Sequence, residues 1–560
     1  MNWQHALLFA APGLPLALLL LTPIRHVRPL LFALLPVAPM PALAAALLLP
    51  IATSWPLPFY SPQALLVLAE PGRLFLGVAA LLWSLAGVFA CASIEARRGG
   101  FAGWWLATLG GNMLLFLAAD LWTFYLAFAL LSLATFGLVI HNRNDEAHRA
   151  GRVYLVLAVV GETCLLLGLL LATHAAGTTL IADVPEAIGA APSRNMILFF
   201  LIIAFGIKAG LMPLHIWLPL AHPAAPVAAS AVLSGAIVKA GIYGLLTFLP
   251  LAVALPGWSA VLVVTGFATA YLGILFGVVQ ERPKTVLAYS TLSQMGLLVA
   301  VLGATMDVAQ PTIIFAAISF YALHHSLAKG ALFLSTGVIA HSGGRWKWSM
   351  LCLATLMALA IAGLPFTGGA LAKLAIKDPI DNDLVALLVI LSAAGTTLLM
   401  LRFLQLARRG APHDIVHPRA GMWVPFALCT AAALTLPWLL FPEMTGLTLG
   451  YAVDLANFWK ALWPILLGTA VLAAILSWLG RPALNIPEGH LVMPVTHLVR
   501  AATRFFDRRH FPVPAFAWPA LPSMAARLAR VEHRLTRWPV AGSLLLCIAI
   551  AIAASLQTQG

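Results

Sequence analysis

Lys208, Lys239, Lys329 and Lys373 each stand inside a long apolar stretch of a 560-residue chain in which only 9% of residues are charged. An ionisable group at bilayer depth costs on the order of 3 kcal/mol or more unless it is paired or faces a wet cavity. Four such amines along one chain therefore read as a relay of proton or ion sites. Two histidines are spaced to work with them. His215 follows Lys208 by seven residues, and His325 precedes Lys329 by one helical turn, on the same face. An amine and an imidazole that titrates near neutrality make a proton-transfer pair. A single histidine on an apolar face is more often a packing residue, but histidines alternating with lysines across several helices read as relay members. Glu162, in the run Val159-Val-Gly-Glu-Thr-Cys164, adds an intramembrane carboxylate.

The elements that position these groups follow from composition. Hydrophobic residues make up 62% of the chain and the mean hydropathy is +0.96, far outside the range of soluble domains. A spanning helix needs about 20 mainly apolar residues. Such windows recur near 6–24, 30–52, 73–94, 102–119, 120–140, 152–173, 195–216, 226–250, 258–280, 285–303, 311–340, 350–376, 383–408, 420–440, 458–480 and 541–557. The alternation of a membrane barrel is absent. The expected fold is an all-α polytopic membrane protein with about 14–16 transmembrane helices. The first window lacks a basic leader and a small-residue cleavage pattern, so it reads as a span and not as a signal peptide.

Two of the spans that carry these lysines have an interior proline beside them. In Phe205-Gly-Ile-Lys208-Ala-Gly-Leu-Met-Pro213-Leu-His215 and in Gly363-Leu-Pro365-Phe-Thr-Gly368-Gly369, the proline lacks an amide proton and obstructs the preceding turn. Both helices should break there, and broken helices at membrane depth line cavities or protein. The breaks fall at matching places in two five-helix blocks, 102–250 and 258–408, the pattern of an inverted repeat. Residues 1–101 precede the blocks as three helices. Residues 409–560 follow them and include a basic, polar segment at 481–540.

A net charge of +13 would suit nucleic acid, but its placement does not. Basic residues gather after odd-numbered spans: Arg25 and Arg28, Arg97 and Arg98, Arg143 to Arg152, Arg282 and Lys284, Arg345 and Lys347, Arg408 to Arg419, and Arg500 to Arg537. The positive-inside rule puts these loops in the cytoplasm and the N-terminus outside. The five cysteines are scattered, with no CxxC or Cys/His spacing for zinc or an iron–sulfur cluster. No dinucleotide or P-loop glycine motif occurs. No metal, cofactor, redox or hydrolytic site is expected in this chain, so any such chemistry would belong to partner chains.

The stretches Lys208 to Pro226, Ser230 to Gly244, Lys284 to Gly296, His325 to Phe333 and Gly363 to Lys373 together resemble the antiporter-like membrane subunits of respiratory complex I. Relatives of those subunits occur in Mrp-type cation/proton antiporters, group-4 membrane hydrogenases and bacterial inorganic-carbon uptake complexes. The resemblance covers about residues 100 to 410. It implies two inverted five-helix units with the seventh and twelfth helices broken. It also implies a proton path through Lys208, Lys239, Lys329 and Lys373, connected by His215 and His325. The chain departs from the pattern in one place. The family's fifth helix usually carries a Glu that pairs with the seventh-helix lysine, and Ala129 stands there. Glu162 on the sixth span either substitutes as counter-ion or hydrogen-bonds locally as a neutral acid.

The function so implied is that of a proton-translocating or cation/proton-exchanging subunit in a bacterial inner membrane. Its partners would be the other membrane subunits of a complex I-like, Mrp-like or hydrogenase-like complex, the lipid bilayer, and protons or Na+; in the first case it would be a membrane subunit of an NADH-quinone-oxidoreductase-like translocase. The alternative is an energy-coupling subunit for inorganic-carbon uptake, or an anchor that does not pump. Within 481–540, Thr496 to Arg509 and Ser523 to Arg537 read as basic amphipathic helices on the cytoplasmic face. Pro512, Pro514, Pro519 and Pro522 argue against one continuous rod.

Overall fold

The computed structural model describes residues 3–57, 63–306, 311–410 and 417–478. Fifteen spans, numbered in chain order, run through the described residues. They are α1 (Trp3–Leu20), α2 (Arg28–Ala33 and Met40–Leu48), α3 (Gly72–Ser93), α4 (Arg98–Leu117) and α5 (Leu121–Val139). Next come α6 (Asp145–Ala176), α7 (Arg194–Ala209 and Trp217–Ala224), α8 (Val227–Phe248), α9 (Pro256–Val278) and α10 (Pro283–Thr305). The last five are α11 (Pro311–Ala340), α12 (Gly344–Ala362 and Gly368–Lys377), α13 (Asp383–Arg409), α14 (Ala420–Thr445) and α15 (Leu455–Trp478). The chain is an all-α polytopic membrane protein. Among the described residues, eleven helices are long and apolar enough to cross a membrane. The other four spans are the three interrupted ones and α11, which carries His324, His325 and Lys329.

The helix limits have local causes. Asp120 accepts a hydrogen bond from the Thr123 amide (2.9 Å) and opens α5, and Asn144 does the same for α6 through the Ala147 amide (2.8 Å). Such caps satisfy an amide that has no intrahelical partner. One span differs from expectation. The window 30–52 is not one helix but two short ones, because Pro36 and Pro39 fall between Ala33 and Met40.

Burial separates an inner set of helices from an outer one. The apolar window of α10 is 100% buried and that of α8 is 94% buried, against 17% for α15. Polar side chains on α8 and α10 are thus surrounded by protein. In lipid, helices associate by close packing of small residues rather than by hydrophobic exclusion from water. A Cβ placed on Gly266 of α9 would lie 2.7 Å from the Gly296 carbonyl oxygen of α10, and one on Gly296 2.6 Å from the Gly266 oxygen. The two backbones meet glycine to glycine.

Contacts divide the chain into two units. One, Met1–Trp55 with Leu65–Gly489, holds all fifteen spans. The other, Pro56–Ala64 with His490–Gly560, lies almost wholly outside the described residues. The basic segment 481–540 and the apolar window 541–557 fall outside them too.

Candidate proton path

Lys208 sits in the last turn of the first half of α7 and is only 5% exposed. The helix stops one residue later, at Ala209, because Gly210 takes a left-handed φ of +82°. The break thus begins three residues before Pro213. The Gly210 and Leu211 amides turn back to the Gly206 carbonyl at 2.9 and 2.8 Å, a Schellman closure that glycine favours. The Ile207 carbonyl, freed by the break, accepts the Trp217 indole N–H at 2.8 Å. The Met212 amide is fixed by Thr269 of α9 at 2.9 Å. His215 is buried within the interrupted stretch.

The Lys208 ammonium donates to the Ser132 hydroxyl of α5 at 2.6 Å and lies 5.3 Å from the centre of the Phe128 ring. Glu162 of α6, 7% exposed, lines the same small cavity as Ser132, Lys208, Tyr154 and Trp217. Its carboxyl group is buried there, and Oε2 has no hydrogen-bond partner among the described residues. A serine hydroxyl accepts on its lone pairs and donates its single proton. The Ser132 hydroxyl that accepts from the ammonium thus keeps its own proton to donate, in the cavity that the Glu162 carboxyl also lines. Tyr154 steadies it by donating to the Ser132 carbonyl at 2.7 Å.

The second cluster lies on α8, α10 and α11. Lys239 is 1% exposed, and its ammonium meets His325 Nδ1 at 2.6 Å and the Ser234 carbonyl at 2.6 Å. A local change of helix type explains the second bond. Leu233–Ile237 forms a π turn in which the Val238 amide reaches back to Leu233 instead of Ser234. Such turns are rare and often mark functional sites. His325 and Lys329 are both fully buried, and Lys329 donates to the Leu287 carbonyl of α10 at 3.1 Å. Polar contacts extend the cluster sideways. Ser234 pairs with Thr291 at 2.8 Å, Tyr321 with Gln294, and Gln294 with Thr396 of α13 at 2.8 Å.

At the α12 break, Gly363 takes φ +103°. The Lys373 ammonium, half-buried, donates to the freed Ala362 carbonyl at 2.8 Å. The neighbouring His324 packs at this break, since a Cβ on Gly369 would lie 3.1 Å from its ring. Lys284 closes the second half of α7 by donating to the Ala225 and His222 carbonyls at 2.5 and 3.2 Å. The structure thus bonds Lys208 to Ser132 with Glu162 lining the same cavity, and joins Lys239 to His325 directly. It sets Lys373 apart, at its own break. Sequence reasoning missed Ser132, Ser234 and His324. Ser132 carried a signal, being one helical turn from Ala129.

Residues 118–400 match the family model described as "NADH:quinone oxidoreductase/Mrp antiporter, TM". The chain belongs to this family. The matched segment contains every lysine, histidine and carboxylate of the path. Among similar proteins, hydrogenase-4 component B of Escherichia coli is 35% identical over 227 residues, 39% of this chain and 34% of that protein. A Na(+)/H(+) antiporter subunit of Alkalihalophilus pseudofirmus is 27% identical over 340 residues, 56% of this chain and 67% of that one. The match therefore spans about a third of the length of the hydrogenase component. The fold of this family member is similar to that in the Mrp complex from Dietzia sp. DQ12-45-1b. There the TM-score is 0.71 at 24% identity, covering 100% of this chain and 63% of the other. It is also similar to a chain of the membrane-bound sulfane sulfur reductase, an archaeal respiratory membrane complex. That TM-score is 0.65 at 20% identity, with 85% of this chain and 100% of the other covered.

Proposed function

We propose that this chain moves protons, or exchanges a monovalent cation for them, as one membrane subunit of a larger assembly in a bacterial inner membrane. The observation that carries the proposal is the Lys239–His325 contact at 2.6 Å between two buried side chains, with the buried Lys329 one turn beyond. Two proton-exchanging groups at this separation hand a proton across without an intervening carrier. Lys208 is the charge-holding station at one end, its ammonium balanced by Glu162 in the cavity they share with Ser132. Lys373, half-buried beside a break, is the station that opens outward. His215 and His325 connect the stations. The antiporter and hydrogenase names of the relatives support the reading and supply the kind of partner, other membrane subunits. The matching breaks in α7 and α12 support treating 102–250 and 258–408 as repeats, flanked by 1–101 and 409–560. The distribution of Lys and Arg supports a periplasmic N-terminus.

The test uses inverted membrane vesicles that carry the native complex. Lys239→Ala should abolish substrate-driven or cation-driven ΔpH while the assembled complex persists on a native gel. Unchanged ΔpH would remove Lys239 from the path. Ala129, where the family usually has a carboxylate, favours a second reading, an energy-coupling or anchoring chain that does not pump. That reading requires every lysine replacement to be silent in ΔpH.

A further inference from the structure

We propose that the cavity beside the α12 break binds a membrane phospholipid through its anionic headgroup. The cavity, about 70 Å3 and open at one side, is bounded by α12, α13, the turn before α15, and the first turns of α15. Three amines line it: Lys373, Lys377 and Lys460. Among the described residues no Asp or Glu does so. The nearby acids Asp378, Asp381, Asp383 and Asp454 are exposed and contribute nothing to the wall. Neither Lys377 nor Lys460 has an ion-pair partner among the described residues. The site therefore concentrates positive charge that no protein carboxylate balances, and an anion is the complementary occupant.

The remaining wall decides what kind of anion. Phe366, Phe458, Leu374, Val389, Ile390 and Pro464 make it mainly apolar. Phe366 is 62% exposed at the opening, and its ring meets that of Phe458 at 5.6 Å. Beside the cavity, Leu455, Trp459 and Leu384 present exposed apolar surface at the ends of α15 and α13. A tryptophan next to a lysine at a span end is the pattern of the membrane–water interface. Lys377 closes α12 and Lys460 lies in the second turn of α15, so both amines lie near helix ends, the level of lipid headgroups. A phosphate between Lys377 and Lys460 with an acyl chain along Phe366 and Leu374 satisfies both charge and wall. A free inorganic anion satisfies only the charge. The inference does not depend on proton movement through the chain.

The test is lipid retention by the complex purified from native membranes. Native mass spectrometry would follow exchange with phosphatidylglycerol, phosphatidylcholine or inorganic phosphate. The complex should keep one phosphatidylglycerol that phosphatidylcholine does not displace. Lys377→Gln combined with Lys460→Gln should weaken that retention roughly thirtyfold, from two amines at headgroup level. The matching double Arg variant should retain the lipid, which separates lost charge from misfolding. Equal retention by wild type and the Gln variant would overturn the proposal, and this is the result expected if a neighbouring chain covers the cavity. Displacement of the lipid by millimolar inorganic phosphate would reassign the site to a free anion and also overturn it.

Discussion

Gly210 and Gly363 close the first halves of α7 and α12 with the same set of hydrogen bonds. Each glycine amide reaches the carbonyls three and four residues back, and the following leucine amide reaches five back. The φ angles are +82° and +103°. Behind Gly210 the freed carbonyl takes the Trp217 indole, and behind Gly363 it takes the Lys373 ammonium. The two breaks are thus equivalent in backbone and different in who caps them. One leaves its lysine free to face Ser132, and the other ties its lysine to the break.

Gly210→Ala should therefore be costly. The left-handed conformation costs a non-glycine residue about 1–2 kcal/mol. The added methyl would also sit 2.5 Å from Leu292 Cδ2. Thermal unfolding in detergent should show a clearly lower midpoint than wild type. Gly100→Ala, on α4 with nothing within 4 Å of the new Cβ, should not lower it. Equal midpoints for the two variants would mean the α7 break does not need its glycine.

Replacing Lys208 should separate charge from chemistry. Lys208→Ala should remove ΔpH in vesicles while leaving the chain inserted. Lys208→Arg should fail as well, because a guanidinium does not release its proton at accessible pH. Normal translocation by Lys208→Arg would show that Lys208 holds a charge without passing a proton.

The Ser132 hydroxyl makes its own prediction. Ser132→Ala removes the group that accepts from the Lys208 amine in the cavity shared with the carboxylate, and a buried hydrogen bond to a charged group is worth about 1.5–3 kcal/mol. Translocation should fall by roughly tenfold or more, whereas Ser132→Thr, which keeps the hydroxyl, should retain most of it. Glu162→Gln should lower activity similarly, and adding Ala129→Glu should restore part of it by returning a carboxylate to α5. If Ser132→Ala were silent, Lys208 and Glu162 would have to communicate by another route.

Topology is open to direct labelling. In a background without the native cysteines, Glu186→Cys, exposed between α6 and α7, should react in intact spheroplasts with an impermeant maleimide. Asp145→Cys, exposed at the start of α6, should react only after the membrane is opened. The reverse pattern would invert the orientation read from the basic loops.

Long apolar windows made the spans legible, because a helix that must satisfy its backbone in lipid declares itself by length and composition alone. The α2 interruption was less legible, since Pro36 and Pro39 lie in a window still apolar enough to read as continuous. Lys208, Lys239, Lys329 and Lys373 stood out because charge is rare in such windows. Ser132 did not, as serine is unremarkable in a membrane helix, and only the placement of α5 beside both α6 and α7 puts Glu162 and Lys208 in one cavity with its hydroxyl. His324 was hidden behind His325. Adjacent residues on a helix point about 100° apart, so one imidazole meets Lys239 while the other packs at the α12 break. The π turn at Leu233–Ile237 had no signature at all, because it depends on which carbonyl an amide selects.

That turn makes the aim of Lys239 a matter of counting. A π turn holds one more residue than an α-helix would use over the same path. Deleting a single residue between Leu233 and Ile237 would let α8 wind regularly. The same path would then hold one residue fewer, and the Ser234 carbonyl would accept a helix amide in place of the Lys239 ammonium. The carbonyl that holds Lys239 is thus written into the length of α8 as firmly as into the lysine. An alignment that slips one position there would pair the right residue types while misplacing the site.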